Sequence, residues 1–213
     1  MAITFYCGSG SPFAWKVWLV LEHKKLAYDL KVLSFQAGDL KKPEFLAINP
    51  RGKVPALVEN GVRLYESSAI VEYLEDAHPE PTVLPGDAAA RALARRIANE
   101  ADSYLYPAVR RLMVETLFKP NGDGDAAVIA EARKALDAEL GRFEAFAERE
   151  YLAGQVISLA DFAAYPMLAI VKRIEQKQPK SSVALPSRLA TWTKRIEALP
   201  YFGRTVPPHW KNA

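Results

Sequence analysis

The 213-residue sequence contains very little cysteine, no long apolar run and no strong excess of one charge. Cys7 is its one cysteine, so no disulfide can form within the chain. A single free cysteine and no N-terminal signal pattern favour the reducing cytoplasm as the compartment. No apolar stretch approaches the ~18 residues that a membrane-spanning helix needs, so we expect no membrane insertion.

Charge and histidine are also too sparse to indicate several kinds of partner. The 28 Lys and Arg residues stand against 25 Asp and Glu residues, and the net charge of +3 is too small to predict nucleic-acid binding. The three histidines, His23, His78 and His209, lie far apart in the sequence and lack the spacing of metal ligands. We therefore predict no metal site.

The first eighty residues alternate between strand and helix patterns. Residues 2–6 are predicted to form a strand, residues 13–26 have apolar positions at helical spacing, and residues 28–34 alternate like a second strand. Asn60-Gly61 separates two short apolar runs, which predicts a two-residue hairpin, and Ser67 is the expected N-cap of the next helix. With a short helical turn in "KPEFLAINPRG" as the second helix, the order β-α-β-α-β-β-α predicts a mixed four-stranded sheet with helices on its faces.

The rest of the chain has helical patterns only. Four long segments have this spacing: 87–118, 125–148, 159–174 and 187–198. They predict an all-α bundle. The proline-rich stretch "HPEPTVLPG" marks the junction, so we expect a first domain over 1–80, a linker over 81–86 and an all-α domain over 87–213.

The stretch "CGSGSPFAWKV" joins the first strand to the first helix. Ser11 is the expected N-cap of that helix, and Pro12 suits its first turn because the missing N–H is not needed there. A helix start also offers unpaired N–H groups and a positive dipole end, which favour an anion. The stretch lacks the sequence features of phosphate-binding loops, so a thiolate or a carboxylate remains the open choice.

Four motifs together resemble those of the glutathione S-transferases along the whole chain. They occur in the family's order: "SPFAWKV", "KVPAL", "ESSAI" and "SLADF". The resemblance is to serine-type members, such as the tau, zeta and phi classes. It implies an α/β thioredoxin-like N-terminal domain, with the mixed four-stranded sheet, followed by an all-α helix-bundle domain. It also implies a homodimer that uses glutathione as co-substrate, without a metal, to conjugate electrophilic hydrophobic compounds.

The resemblance assigns the binding of the glutathione cysteinyl group to the second motif. In the family the bond corresponding to Val54-Pro55 is cis, and the backbone N–H and C=O of the residue at Val54 pair with the cysteinyl part of glutathione. The residues alone allow another interpretation, because a trans Pro55 could also open an edge strand.

The resemblance assigns the ends of glutathione to charged and hydroxyl groups. Ser67 and its backbone N–H would hold the γ-glutamyl carboxylate, and Glu66 would take the ammonium group. Lys41 and Lys53 would meet the glycyl carboxylate, although Lys41 would equally suit a solvated surface. Opposite charges side by side suit a zwitterion because charge-assisted hydrogen bonds are strong.

Ser11 occupies the position of the family's activating hydroxyl, where omega-class members have cysteine. A cysteine there favours mixed disulfides, whereas a serine hydroxyl donates a hydrogen bond to the bound thiolate. Ser9, two residues earlier in the same loop, is the secondary catalytic candidate. Cys7 lies inside the strand end and does not occupy the family's cysteine position.

The acceptor pocket is the least specified part of the site. The expected lining residues come from the first helix and the fourth: Phe13, Trp15, Tyr104, Tyr106, Met113 and Phe118. Aromatic residues at helical spacing also suit a protein core, so this set has two interpretations. Asp102 could reach glutathione in the partner of a dimer, or could be a surface acid.

Two alternative functions keep the same fold. One is a glutathione-dependent isomerase of the zeta type, whose Ser-Ser-Cys run is absent from "GSGSPF". The other is a non-catalytic protein that binds apolar ligands or other proteins. Ser11, Glu66 and Ser67 occur together, which favours an active enzyme because a scaffold would not require all three.

Overall fold

The computed structural model describes residues 3–119 and 124–211, which form two compact units. The first unit contains residues 3–83 together with 199–211, and the second contains residues 84–198. This differs from the predicted division, which assigned everything after residue 86 to the all-α domain. The difference arises because the C-terminal segment packs against the first helix of the chain, as described below.

The first unit is a four-stranded sheet with three helices in the first 77 residues. Its elements are β1 (Ile3–Gly8), α1 (Pro12–His23), β2 (Tyr28–Leu33), α2 (Pro43–Leu46), β3 (Ala56–Glu59), β4 (Val62–Tyr65) and α3 (Ser67–Ala77). The strand order is β2-β1-β3-β4. β1 is parallel to β2 and antiparallel to β3, and β3 is antiparallel to β4, so the predicted mixed sheet is confirmed.

Local sequence explains both the hairpin and the core of this unit. Asn60 and Gly61 have φ angles of 53° and 83°, and two positive φ values are what a type I′ hairpin turn requires. Along β1, Ile3, Phe5 and Cys7 are buried, at every second position, as expected of a half-buried strand. The Phe5 side chain therefore contributes to a core between the sheet and α1, where it meets Trp18 edge-on at 6.5 Å between ring centroids.

The second unit consists mainly of helices, with one isolated antiparallel bridge between Tyr151 and Gly154 among its described residues. Its helices are α4 (Ala88–Glu100), α5 (Tyr106–Met113), α6 (Ala126–Phe146), α7 (Leu159–Lys177) and α8 (Ser187–Glu197). The predicted segment 87–118 is one helical path, but π-helical turns at Ala101–Leu105 and Val114–Phe118 interrupt its α geometry. α7 is buried along most of its length and forms the core of this unit. In the described part of the chain, no helix is long and apolar enough to cross a membrane.

Asp161 connects the start of α7 to two other parts of the helical unit. One carboxylate oxygen accepts hydrogen bonds from the Ser158 backbone N–H at 2.9 Å and from the Ser158 hydroxyl at 3.1 Å. The other accepts from the Leu152 N–H and the Trp192 indole N–H, both at 2.9 Å. Complete burial raises the pKa of Asp161 to about 6, although all four hydrogen bonds oppose that shift. Ser158 and Asp161 form a capping box at the start of α7, as the Ser-x-x-acid pattern of "SLAD" in the sequence favours.

The C-terminal segment returns to the first unit as two short helices, α9 (Phe202–Thr205) and α10 (Pro208–Lys211). Trp15 of α1 is its main anchor. The Trp15 indole N–H donates to the Thr205 hydroxyl at 2.9 Å, and the Trp15 ring lies 6.2 Å from the Phe202 ring and 5.3 Å from the Trp210 ring. This aromatic cluster explains why residues 199–211 belong to the first unit.

Candidate active site

A tight turn over residues 8–11 places Ser11 at the start of α1. The Ser11 backbone N–H donates to the Gly8 carbonyl at 3.0 Å, and Gly10 has a φ of +86°, which favours glycine at that position. The Ser11 Oγ accepts a hydrogen bond from the Ala14 backbone N–H at 3.3 Å, so its predicted N-cap role is confirmed. Within the described residues no acceptor takes the proton of this hydroxyl. Ser11 can therefore cap the helix and donate to an anion at the same time.

The two neighbouring candidates have different surroundings. The Ser9 Oγ lies 2.7 Å from the Nδ1 of His209, so its hydroxyl has a protein partner. Cys7 is buried in β1, and burial raises the pKa of its thiol to about 12. The Cys7 thiol therefore stays protonated at neutral pH and cannot serve as a thiolate nucleophile. The choice of Ser11 over Ser9 remains a prediction, which this geometry favours.

Three segments lie together beside this turn: the carboxyl end of β1 at Gly8, the loop after β2 at Phe35 and the residues before β3 at Val54. The Val54-Pro55 bond is cis, as the family resemblance implies. The backbone N–H and C=O of Val54 have no hydrogen-bond partner in the described part of the chain. A Cβ added to Gly8 would lie 2.6 Å from the Phe35 ring and 2.9 Å from the Val54 side chain. Gly8 therefore has no room for a side chain, and Val54 is left with one free donor and one free acceptor.

Phe35 is a site residue that sequence reasoning missed. It lies in the loop after β2 and exposes 54% of its surface, yet its ring covers Gly8 at the end of β1. The available signal was one aromatic residue among small and polar residues in the stretch "SFQAG". An exposed aromatic beside an open backbone edge offers an apolar contact to a ligand bound there.

Glu66 and Ser67 begin α3, but their roles at the helix start differ from the prediction. Ser67 was expected to be the N-cap, whereas it is the first helical residue, and Glu66 occupies the N-cap position without a side-chain capping bond. Glu66 has a φ of 68°, a left-handed conformation that is uncommon for a residue other than glycine and that concentrates at functional sites. Ser67 is buried, and its backbone N–H belongs to the first turn, where helices leave such groups without an intrahelical partner.

The loop before β3 brings cations to the same end of the unit. Asn49, which is buried, donates through its amide to the Lys53 carbonyl at 2.6 Å and accepts from the Arg51 N–H at 3.0 Å. Sequence reasoning missed Arg51, whose Nε lies 4.0 Å from a Glu66 carboxylate oxygen with both side chains largely exposed. Lys53 and Lys41 are exposed on the surface of this unit. A cation therefore stands beside Glu66, and the loop that carries it is fixed by Asn49.

The predicted acceptor-pocket residues have varied environments. In the first unit Phe13 is half-buried, while Trp15 is 4% exposed because it packs against the C-terminal segment. In the helical unit Met113 is buried, Tyr106 is half-buried, and Tyr104 and Phe118 are 62% and 69% exposed. Their assignment to one pocket remains a prediction.

Two cavities lie along α4 and α5 of the helical unit. One, of about 430 Å³, is lined by Tyr106, Arg110 and Arg111 among others. The other, of about 590 Å³, is lined by Arg95, Arg96 and Tyr104 among others. Two arginines and one glutamate line each cavity, so their walls are more charged than the hydrophobic pocket predicted from the sequence.

Comparison with known proteins gives consistent results for both halves of the chain. Residues 10–77 match the family model of the glutathione S-transferase N-terminal domain, and residues 100–200 match that of the C-terminal domain. The chain is 32% identical over 201 residues to glutathione S-transferase 3 of Zea mays, covering 92% of this chain and 89% of the relative. It is 30% identical over 213 residues to FtsZ-localized protein A of Caulobacter vibrioides, covering 93% and 88%.

Solved structures give the same result. The theta class glutathione S-transferase of Xanthomonas axonopodis pv. citri, solved with glutathione bound, superposes with a TM-score of 0.83 and 29% identity over 96% of each chain. The similarity therefore extends over both units of the present chain and includes a protein that holds glutathione.

Proposed function

The chain belongs to the glutathione S-transferase family, and we propose that it uses Ser11 to activate the thiol of bound glutathione for attack on an electrophilic carbon of a hydrophobic acceptor. The observation that carries this proposal is the position of the Ser11 hydroxyl. It lies at the N-terminus of α1, accepts from Ala14, and keeps its own proton available for a ligand. A sulfur anion is the ligand that such a donor stabilises.

The chemical gain comes from ionising the glutathione sulfur, whose proton is released to solvent water. A thiol with a pKa of 8.5 is only about 3% ionised at pH 7, and lowering its pKa by about two units ionises about three quarters of it. That change corresponds to about 2.7 kcal/mol of preferential stabilisation of the thiolate. The Ser11 O–H donates to the thiolate, and the positive end of the α1 dipole adds to the effect. The thiolate then forms the C–S bond as the leaving group departs from the acceptor carbon with the bonding electrons.

The rest of the first unit holds the tripeptide in place for this attack. The free N–H and C=O of Val54, beside cis Pro55, pair with the cysteinyl backbone. Ser67 and its N–H take the γ-glutamyl carboxylate, and Glu66 takes the ammonium. Lys41 and Lys53 receive the glycyl carboxylate. Such orientation converts a bimolecular reaction into one between groups already in contact.

An interaction protein is the second candidate function, since one relative is named FtsZ-localized protein A. A protein that only docks onto a partner has no need for a hydroxyl donor at the start of α1 or for a strained Glu66 at the start of α3. Both features support the enzyme.

We further propose that the enzyme is a homodimer in a reducing cytoplasm. The single, buried Cys7 supports the reducing compartment.

Two measurements on the purified protein test the function. Calorimetry should detect glutathione binding, and mixing with glutathione and an aryl halide should give the thioether conjugate, identified by mass and formed catalytically. Binding without turnover towards any of a panel of electrophiles would favour the ligand-binding alternative. If glutathione does not bind, the proposed function is excluded.

Removing the Glu66 carboxylate or the Ser67 hydroxyl should weaken glutathione binding more than it slows turnover at saturation. A charge-assisted hydrogen bond contributes about 1.5–3 kcal/mol, so Glu66→Ala should raise the dissociation constant by about 10- to 100-fold. Ser67→Ala should raise it by up to about tenfold, because the Ser67 backbone N–H still bonds to the carboxylate. Glu66→Gln, which keeps a hydrogen-bonding group without the charge, should fall between the wild type and alanine.

Asp76→Ala supplies the control for this series because it removes an exposed acid from the other end of α3. Its dissociation constant should match that of the wild type. The assigned roles would be wrong if Glu66→Ala and Asp76→Ala bound glutathione equally well.

A further inference from the structure

The C-terminal segment runs along α1 from its last turn to the turn before its first residue. At the far end Tyr201 bonds to His23, with Oη and Nδ1 2.9 Å apart, and Arg204 pairs with Glu22 at 3.2 Å. In the middle lies the Trp15 cluster with Phe202, Thr205 and Trp210. At the near end His209 reaches the loop that precedes Ser11. The segment is therefore fixed at both ends and at its centre.

His209 contacts both central residues of the turn that delivers Ser11. Its Nδ1 lies 2.7 Å from the Ser9 Oγ. Its ring also covers Gly10, where an added Cβ would lie 3.1 Å from the ring carbon Cε1 and 3.3 Å from Nε2. Among the described residues, the other contact that closes the turn is one backbone hydrogen bond, from the Ser11 N–H to the Gly8 carbonyl. A glycine-containing turn with one closing bond is conformationally permissive, so an external contact adds substantially to its order.

We propose that His209 is a positioning residue for the reaction: it fixes the Ser9-Gly10 turn and thereby the direction in which the Ser11 hydroxyl donates. The proposal rests on the proposed function of Ser11. His209 acts through Ser9 and Gly10 and takes no proton from the substrate. Catalytic groups need to be held within about 0.5 Å of their productive positions, and a displacement of about 1 Å can cost about a hundredfold in rate. The C-terminal segment would thus set the catalytic efficiency of a site built at the opposite end of the sequence.

A double-mutant cycle on Ser9 and His209 tests this coupling. His209→Ala and Ser9→Ala should each lower kcat for conjugation about fivefold and leave the dissociation constant of glutathione within about twofold. Because both remove the same hydrogen bond, the double variant should be about as slow as the slower single variant. His209→Asn should restore most of the rate, since its amide can occupy the place of Nδ1 and bond to the Ser9 hydroxyl.

Hydrogen exchange of the turn provides a readout that does not depend on turnover. The Ser11 backbone amide should exchange about fivefold faster in His209→Ala than in the wild type, with Asn restoring its protection. His78→Ala is the matched control: that histidine bonds to Glu59 in the same unit, so its replacement should change neither the turn nor kcat.

Three results would overturn the proposal: unchanged kcat and unchanged exchange in His209→Ala, effects of the two single variants that multiply in the double variant, or no rescue by asparagine. His209 is exposed near the end of the chain, so its replacement should leave the unit folded, and Ser9→Ala tests the same bond from the other side. If the wild type bound glutathione but conjugated no acceptor, the proposed function would fail. The exchange data would still decide whether His209 orders the turn.

Discussion

Replacing Ser11 with alanine should lower kcat for glutathione conjugation by up to about 25-fold at pH 7, because the ionised fraction of the bound thiol falls from about three quarters towards about 3%. The dissociation constant of glutathione should change by less than about threefold, because the tripeptide is held mainly by its backbone and its charged ends. The value of kcat falls because the pKa of the bound thiol returns towards its solution value. Ultraviolet titration of the enzyme–glutathione complex measures that pKa directly.

Ser11 also caps α1, so a matched variant is needed to separate catalysis from stability. Ser→Ala at an N-cap costs about 0.5–2 kcal/mol of stability, whereas Ser→Gly costs only a few tenths. Ser11→Gly should therefore lose the same rate as Ser11→Ala while keeping nearly the wild-type midpoint of denaturation. If both variants kept their rates while Ser9→Ala abolished turnover, Ser9 would be the activating hydroxyl.

Asp161→Ala should lower the free energy of unfolding by about 3–5 kcal/mol, the loss expected when one member of a buried, charged hydrogen-bond network is removed. Alanine leaves the Leu152 N–H, the Ser158 N–H and the Trp192 indole N–H buried without their acceptor. Denaturant unfolding followed by Trp fluorescence measures the loss. Asp137→Ala provides the control, since Asp137 lies on the exposed side of α6. A loss below about 1 kcal/mol would show that the network contributes little.

The same carboxyl predicts a pH dependence of stability. Burial raises the pKa of Asp161 from 3.8 to about 6. Between these values the folded protein binds more protons than the unfolded chain, so the stability contributed by this protonation is full below about pH 4 and is lost as the pH rises through about 6. Asp161→Asn does not titrate. The stability of the wild type relative to Asp161→Asn should therefore increase as the pH is lowered from about 6 to about 4, as denaturant unfolding at several pH values would measure.

Sequence patterns predicted the elements whose causes are local. Asn60-Gly61 fixes its own turn, Ser11-Pro12 fixes the start of α1, and Ser158 with Asp161 fixes the start of α7, so each was readable from a few adjacent residues. The site motifs were recognisable because each is a short stretch of adjacent residues and the four stretches occur in the family's order. Their individual roles in binding and catalysis remain predictions.

Other features depend on contacts that local patterns do not contain. In the sequence, Trp15 is one of the apolar positions that predict α1. Its partners Thr205 and Trp210 lie about 190 residues further along the chain. They belong to helices that are too short to give a periodic pattern. Glu66 adopts a positive φ, which the conformational propensity of glutamate does not favour. The N-cap of α3 is Glu66, one residue before the predicted Ser67. The π-helical turns within 101–118 were missed because an amphipathic pattern changes little when one extra residue is accommodated.

The docking of residues 199–211 on α1 has a consequence for biosynthesis. The sheet unit is discontinuous along the chain, with all of 84–198 inserted between its two pieces. The ribosome therefore synthesises the four strands long before it translates the partners of Trp15. During that interval the Trp15 indole of the nascent chain is not covered by them. Completion of this unit therefore follows the synthesis of the whole helical unit, although most of its residues are made before that unit.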